Sequence, residues 1–185
     1  MKKLFPQLET ERLVLREISK IDAEGLFKCF SNELVTRYYG LEKLENREQA
    51  EAFVDFFAKS YVEKKGIRWG IQIKESLGII GTIGFNNWSP KHKRAEIGYE
   101  IHPDYWRQGY TSEAVSKIIQ YGFEELDLTR IGAVVFVENE ASNQLLTKVG
   151  FQQEGILRGY IYQNEEANDT YVYALLKKEY EDASK

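Results

Sequence analysis

The stretch Ile101-His102-Pro103-Asp104-Tyr105-Trp106-Arg107-Gln108-Gly109-Tyr110-Thr111-Ser112-Glu113-Ala114 is the most informative part of the chain. A strand is expected to end at Ile101 and a helix to begin near Thr111. Between them, Gly109 lets the backbone turn tightly and approach a ligand. The first helical turn leaves amide N–H groups without intrahelical partners, and the aligned peptide dipoles add positive potential there. Together these features suit a phosphate or pyrophosphate. The competing reading is an ordinary strand-to-helix connection with a helpful glycine. Neither Gly-x-x-x-x-Gly-Lys nor Gly-x-Gly-x-x-Gly is present, so neither ATP nor a nicotinamide cofactor is indicated.

On the N-terminal side, residues 67–74, 78–86 and 94–101 read as three strands, with turns at Glu75-Ser76 and Ser89-Pro90. Before them, Leu13-Val14-Leu15-Arg16 reads as a short first strand. Asp22 can cap a helix carrying Leu26, Phe27 and Phe30 on one face. Asn46 can cap a longer helix with Gln49 closing the box, and Ala50, Phe53, Val54, Phe57 and Tyr61 follow at helical spacing. On the C-terminal side, a helix over 111–125 places Ala114, Val115, Ile118, Ile119 and Gly122 on one side. A strand from Ile131 to Val137, a helix from Glu140 to Val149 stopped by Gly150, and strands near 152–161 and 169–176 complete the order. That order predicts an α/β (α+β) fold, a mixed central sheet of about seven strands with helices on both faces, and not the regular alternation of a dinucleotide fold.

The 185 residues are 43% hydrophobic, with no repeat, low-complexity tract or linker, so a single domain over 1–185 is expected, its core about 8–178. A chain of this size buries about 70% of the surface its unfolded form exposes. Lys+Arg 25 against Asp+Glu 29 gives a net −4 and a pI near 5.4, which argues against a nucleic-acid partner. Cys29 has no cysteine to pair with, and with only His92 and His102 as helpers no metal site is expected. No apolar run reaches a membrane span, and the Met1-Lys2-Lys3-Leu4 start leads into Pro6 and Glu9 rather than a signal-peptide core. A soluble, cytoplasmic protein is expected.

The loop Trp106-Arg107-Gln108-Gly109-Tyr110-Thr111 resembles the acetyl-CoA loop of the GNAT superfamily of N-acetyltransferases, whose usual form is Arg/Gln-x-x-Gly-x-Gly/Ala. Leu8-Glu9-Thr10-Glu11-Arg12-Leu13-Val14-Leu15-Arg16 is similar to the opening of its RimJ/RimL-like branch, the ribosomal-protein alanine acetyltransferases. Glu96-Ile97-Gly98-Tyr99, Tyr105-Trp106, Asn139-Glu140-Ala141-Ser142-Asn143, Lys148-Val149-Gly150-Phe151 and Glu154-Gly155-Ile156-Leu157-Arg158 match the same branch, in order. Trp106 and Thr111 depart from the loop's usual form. The resemblance implies a mostly antiparallel GNAT-like sheet and acetyl-CoA as co-substrate. It implies pyrophosphate on the backbone around Arg107, Gln108, Gly109, Tyr110, Thr111 and Ser112. The pantetheine arm is expected along a splayed strand near Ile101 and at Asn139. The N–H of Ile101 would polarise the thioester carbonyl.

The family reaction is direct attack of an amine on acetyl-CoA, which needs that amine neutral. An α-amino group, with a pKa of about 7.7–8.0, is roughly a tenth or more neutral at pH 7. A lysine lies about 3.4 units away, roughly 4.6 kcal/mol. An N-terminal acceptor therefore manages with a carboxylate acting through water. Glu96 and Glu100, on one face of the strand before the loop, are the candidate bases, each with a structural alternative. The tyrosine that many relatives use as proton donor aligns with Leu146, so Ser142, in a place where relatives carry a serine with that suggested role, is the candidate donor, with helix capping by Asn139 as the alternative. Tyr38, Tyr39, Trp69 and Trp88 are candidate cleft walls or core, and Cys29 reads as a buried small hydrophobe. Expected partners are acetyl-CoA and a protein N-terminus. Alternatives are a small amine drawn to Glu42, Glu45 and Glu48 or to Glu165 and Glu166, and a non-catalytic acyl-CoA-binding module. The chain would act as a monomer or homodimer, with no membrane partner.

Overall fold

Strict alternation makes the first long strand: Leu13 and Leu15 are fully buried while Val14 and Arg16 turn the other way. In the computed structural model, which describes residues 5–183, this strand joins an eight-stranded sheet ordered β1-β2-β3-β4-β5-β6-β8-β7. The strands are β1 (Leu8–Glu9), β2 (Leu13–Glu17), β3 (Ile67–Ile73), β4 (Gly81–Ser89), β5 (Arg94–Ile101), β6 (Arg130–Phe136), β7 (Gln152–Gln163) and β8 (Glu166–Leu176). Every neighbouring pair is antiparallel except β5 and β6, which run parallel. The helices are α1 (Ala23–Phe30), α2 (Glu33–Thr36), α3 (Arg47–Val62), α4 (Tyr110–Glu124), α5 (Glu140–Lys148) and α6 (Lys177–Ala183). The Met1-Lys2-Lys3-Leu4 start lies outside the described residues.

The two faces of the sheet are built differently. On one, Trp69, Ile71, Ile83, Phe85 and Ile97 meet Ala114, Val115, Ile118, Ile119 and Phe123 of α4 and Leu146 of α5. On the other, α1 and α3 bring Ala23, Leu26, Cys29, Phe30, Ala50 and Val54 together with Ile18 and Ile79. Beneath them the strands offer Arg16, Arg68, Thr82, Gly98 and Glu100 rather than aliphatics, so this face carries buried polar pairs.

The elements match expectation with four adjustments. Asp22 precedes α1 without a side-chain cap bond, its carboxylate accepting from Arg16 and the Ser19 amide instead. The sheet has eight strands, because Leu8–Glu9 adds a two-residue antiparallel edge to β2. The strand expected over 78–86 runs Gly81–Ser89: Gly78 belongs to the turn, with φ +80, and a bulge with Asn87 at φ +48 lengthens the far end. The short α2 and the terminal α6 carry too few residues to show a period. The Asn46 cap is present, accepting from the Gln49 amide at 3.0 Å, while the Gln49 side chain reaches back to Glu45.

Candidate functional site

The parallel seam between β5 and β6 is paired only at Arg94–Arg130, Ala95–Ile131 and Glu96–Gly132. Beyond Glu96 the two strands part. His102 donates to the Ile80 carbonyl at 2.9 Å, which sets the phase of the β4–β5 ladder. Residues 96, 98 and 100 therefore bond towards β4, and the backbone edges of Ile97, Tyr99 and Ile101 turn towards the gap. The expected splay is present, and it leaves extended backbone without a partner strand on that side.

A cavity of about 360 Å³ occupies the gap. Glu96, Asn86 and Arg68 line it from the α1–α3 side, with Tyr38, Tyr39, Leu41 and Phe56 as walls. Tyr99, Asn139 and Ser142 line it from the other side. The Tyr38–Tyr39 segment is held over the seam by Gln163 of β7, which donates to the Thr36 carbonyl and accepts from the Gly40 amide, both at 2.9 Å. Trp69, by contrast, is fully buried in the core with its indole N–H on the Pro6 carbonyl, and Trp88 packs against the same core.

The two candidate carboxylates do share a face, yet their surroundings differ sharply. Glu96 lies in the cavity and accepts from Asn87 Nδ2 at 2.9 Å. Glu100 is 6% exposed and receives both oxygens' bonds from the equally buried Arg68, at 2.6 and 2.5 Å, with Thr82 Oγ1 donating to it as well. Arg68 also donates to Thr82 Oγ1 and to the Gly98 carbonyl. Both oxygens of Glu100 are engaged in this buried pair and Glu100 does not line the cavity, so the structure places it in an ion pair beneath the site, apart from the position of a base beside Glu96. Gly98 makes room for this arrangement: a Cβ there would lie 3.1 Å from both Arg68 Nη1 and Asn86 Nδ2.

Next to the seam, the strand-to-helix turn is locked from two directions. Trp106 donates its indole N–H to the Ile101 carbonyl at 2.6 Å, folding the loop back on the strand end. Arg12 donates to the Gln108 carbonyl at 2.9 Å and to Glu113 at 2.7 Å, and lies 4.5 Å from the Tyr110 ring centre. Gly109 caps α4 at φ +84, a left-handed conformation natural to glycine, and Arg107 sits at φ +58. Among the described residues, the amides of Gln108, Gly109, Tyr110, Thr111 and Ser112 donate to no protein acceptor. Five N–H groups without a protein acceptor at a helix start are the kind of donor set an anion takes.

Asn139 is the cap of α5, accepting from the Ser142 amide at 3.2 Å. Ser142 Oγ lies 2.7 Å from Tyr99 Oη. Burial pushes the Tyr99 phenol up to about 12, against the lowering effect of its bond with Ser142. Tyr99 received no role from sequence, although it shares the side-chain parity of Ile97 and Ile101; its partner lies on a helix 43 residues away. Arg12 was likewise missed, since its contact with Glu113 at the α4 start spans 101 residues of chain. Cys29 is buried, and burial pushes its thiol up, as befits a core residue.

An interrupted parallel pair beside an anion-binding helix start is the frame of an acyl-transferring enzyme. Comparison with known proteins narrows it. Residues 12–152 match the model of the acetyltransferase (GNAT) domain. The chain is 58% identical over 174 residues to the uncharacterized N-acetyltransferase YoaA of Bacillus subtilis (strain 168), covering 94% of this chain and 98% of that one. It is 34% identical over 96 residues to the ribosomal-protein-serine acetyltransferase of Escherichia coli (strain K12), 52% of this chain and 54% of the relative. The crystal structure of a GNAT-family acetyltransferase from Bacillus anthracis superposes with a TM-score of 0.82 at 29% identity, covering 94% of this chain and 99% of that one. The chain belongs to the GNAT family and is an N-acetyltransferase. GNAT acetyltransferases use acetyl-CoA, and no helix among the described residues is long and apolar enough to cross a membrane.

Proposed function

We propose that the protein transfers the acetyl group of acetyl-CoA to the N-terminal α-amine of a protein, of the ribosomal-protein type. The observation that carries the acceptor is the charge of the cavity. Glu96 is the one carboxylate among its lining residues, and the cationic Arg68 stands beside it with its own counter-charge at Glu100. A polyamine would meet a single negative charge there. A peptide N-terminus brings a single amine, with apolar walls at Tyr38, Tyr39, Leu41 and Phe56 for the residues around it. The partial match to a ribosomal-protein-serine acetyltransferase supports the same class.

The co-substrate supplies an activated acetyl thioester. The amides of Gln108 to Ser112 hold its pyrophosphate, with Arg107, Tyr110 and Thr111 shaping the turn. The backbone edge of Ile97, Tyr99 and Ile101 pairs with the pantetheine arm, joined by Asn139, and an N–H of that edge polarises the thioester carbonyl. Glu96 takes the amine proton through water, which suffices for an α-amine of pKa about 7.7–8.0. Ser142 directs its hydroxyl at the sulfur. A cytoplasmic location fits a lone, buried Cys29.

Single-turnover transfer tests this reading with three acceptors: a peptide with a free N-terminus, the same peptide N-terminally blocked but containing lysine, and spermidine. Acetylation at the α-amine of the first alone is expected. Preference for spermidine or for the blocked peptide would overturn the acceptor assignment.

A further inference from the structure

Tyr99 is the only polar side chain that β5 places on the face opposite Glu96, where its neighbours are Ala95, Ile97 and Ile101. Its ring lines the cavity, and its hydroxyl ends 2.7 Å from Ser142 Oγ. The main chain of Ser142 is already fixed, because its amide is held by the Asn139 cap. What the cap leaves free is the rotation of the serine hydroxyl. The geometry allows either hydroxyl to donate, and since a phenol is the stronger acid of the two, the donor role is assigned to Tyr99 and the acceptor role to Ser142.

We propose that Tyr99 is a positioning residue for acetyl transfer: by donating to Ser142 Oγ, it turns the serine hydroxyl hydrogen into the gap between β5 and β6, towards the departing sulfur. The proposal rests on the acetyl-CoA reading of that gap. In the transfer step the amine nitrogen bonds to the acetyl carbon, the C–S bond breaks, and its electron pair goes to sulfur. The amine proton passes to Glu96 through water, and the thiolate takes its proton from water. Ser142 stabilises the charge growing on sulfur with a hydrogen bond, the same device as an oxyanion donor. Tyr99 does not surrender its own proton, since an ordinary thiol, at about 8.5, is a far stronger acid than this phenol. Orientation, not acidity, is its contribution.

The experiment is a double-mutant cycle of Tyr99→Phe and Ser142→Ala, read as kcat and acetyl-CoA KM for peptide transfer, and as acceptor-free thiol release from acetyl-CoA into water. Ser142→Ala is expected to lower kcat about 100-fold, as removal of an oxyanion donor does. Tyr99→Phe should lower it about tenfold, with KM within twofold and an unchanged melting temperature, since the ring remains. The double variant should be no slower than Ser142→Ala alone, because the tyrosine acts through the serine. Fully additive losses, or a Tyr99→Phe enzyme at the wild-type rate, would overturn the proposal. If the peptide is not acetylated but Tyr99→Phe still slows acceptor-free thiol release, the acceptor assignment fails and the role of Tyr99 stands.

Discussion

Glu96 and Glu100 sit four residues apart on one face of one strand, yet substitution should affect them in opposite ways. Glu96→Gln keeps the bond from Asn87 and removes the proton acceptor, so kcat should fall by about 100-fold, within the range of a lost general base, with the melting temperature unchanged. Glu100→Gln leaves the Arg68 guanidinium, 5% exposed, without its counter-charge. Breaking one side of a buried pair costs about 3–5 kcal/mol. In a domain of this length that lowers the melting temperature on the order of 10 °C. Kinetics and calorimetry on the same two proteins check both outcomes; a large kinetic defect with normal stability in Glu100→Gln would contradict the ion-pair role. Sequence parity alone placed both carboxylates on one face. It could not distinguish them, because the distinction lies in Arg68 and Thr82, which reach Glu100 only after β3, β4 and β5 have paired.

At the level of elements, the proposed anion cradle is the start of α4, whose shape depends on Gly109. An L-residue held in the left-handed region costs roughly 1–2 kcal/mol. An added Cβ there would also lie 3.2 Å from Arg12 Nη2. Gly109→Ala should therefore let the loop relax in the free protein and weaken acetyl-CoA binding about tenfold, measured by calorimetric titration, with little change in the rate at saturation. Unaltered affinity would show that the turn is not the cradle. The strand, the turn and the helix here were legible in advance because each has a local signature: alternation, glycine, then helical period. The pair of anchors that fixes them was not. Trp106 departs from the usual loop form, and its indole bond to Ile101 supplies a reason in this chain for an aromatic residue at that position. Likewise, the Asn139 cap was readable from three residues of sequence, while the bond from Tyr99 to Ser142 required the tertiary fold.

For the whole molecule, acid stability follows from two carboxylates, Asp22 within the N-terminal segment and Glu113, which ties that segment to α4. Burial alone would raise the Asp22 carboxyl, but the bonds from Arg16 and the Ser19 amide outweigh it and hold the group below its ordinary value of 3.8. Glu113 is likewise held down by Thr10 and Arg12 against the upward effect of burial. Groups whose folded pKa is depressed stabilise the fold fully above the unfolded value, and that stability is lost as pH falls through the folded one. The melting temperature should thus stay nearly level between about pH 5 and 8 and drop below about pH 4. Asp22→Asn should flatten that acid limb, at the expense of stability near neutrality; an identical pH profile in the variant would remove Asp22 from the account.

Three residue pairs alone stitch β5 to β6, so the sheet consists mechanically of two ribbons, β1 to β5 and β6-β8-β7, that share a short border. An open strand border invites foreign strands, which is why proteins guard their outer edges with bulges, charges or covering elements. This border is internal and cannot be abolished without closing the cavity. Tyr38 and Tyr39 overhang it on one side and the α5 start on the other. The unpaired edge is thus covered by side chains rather than by another strand. The side chains that line the cavity therefore also guard an open strand edge inside the sheet.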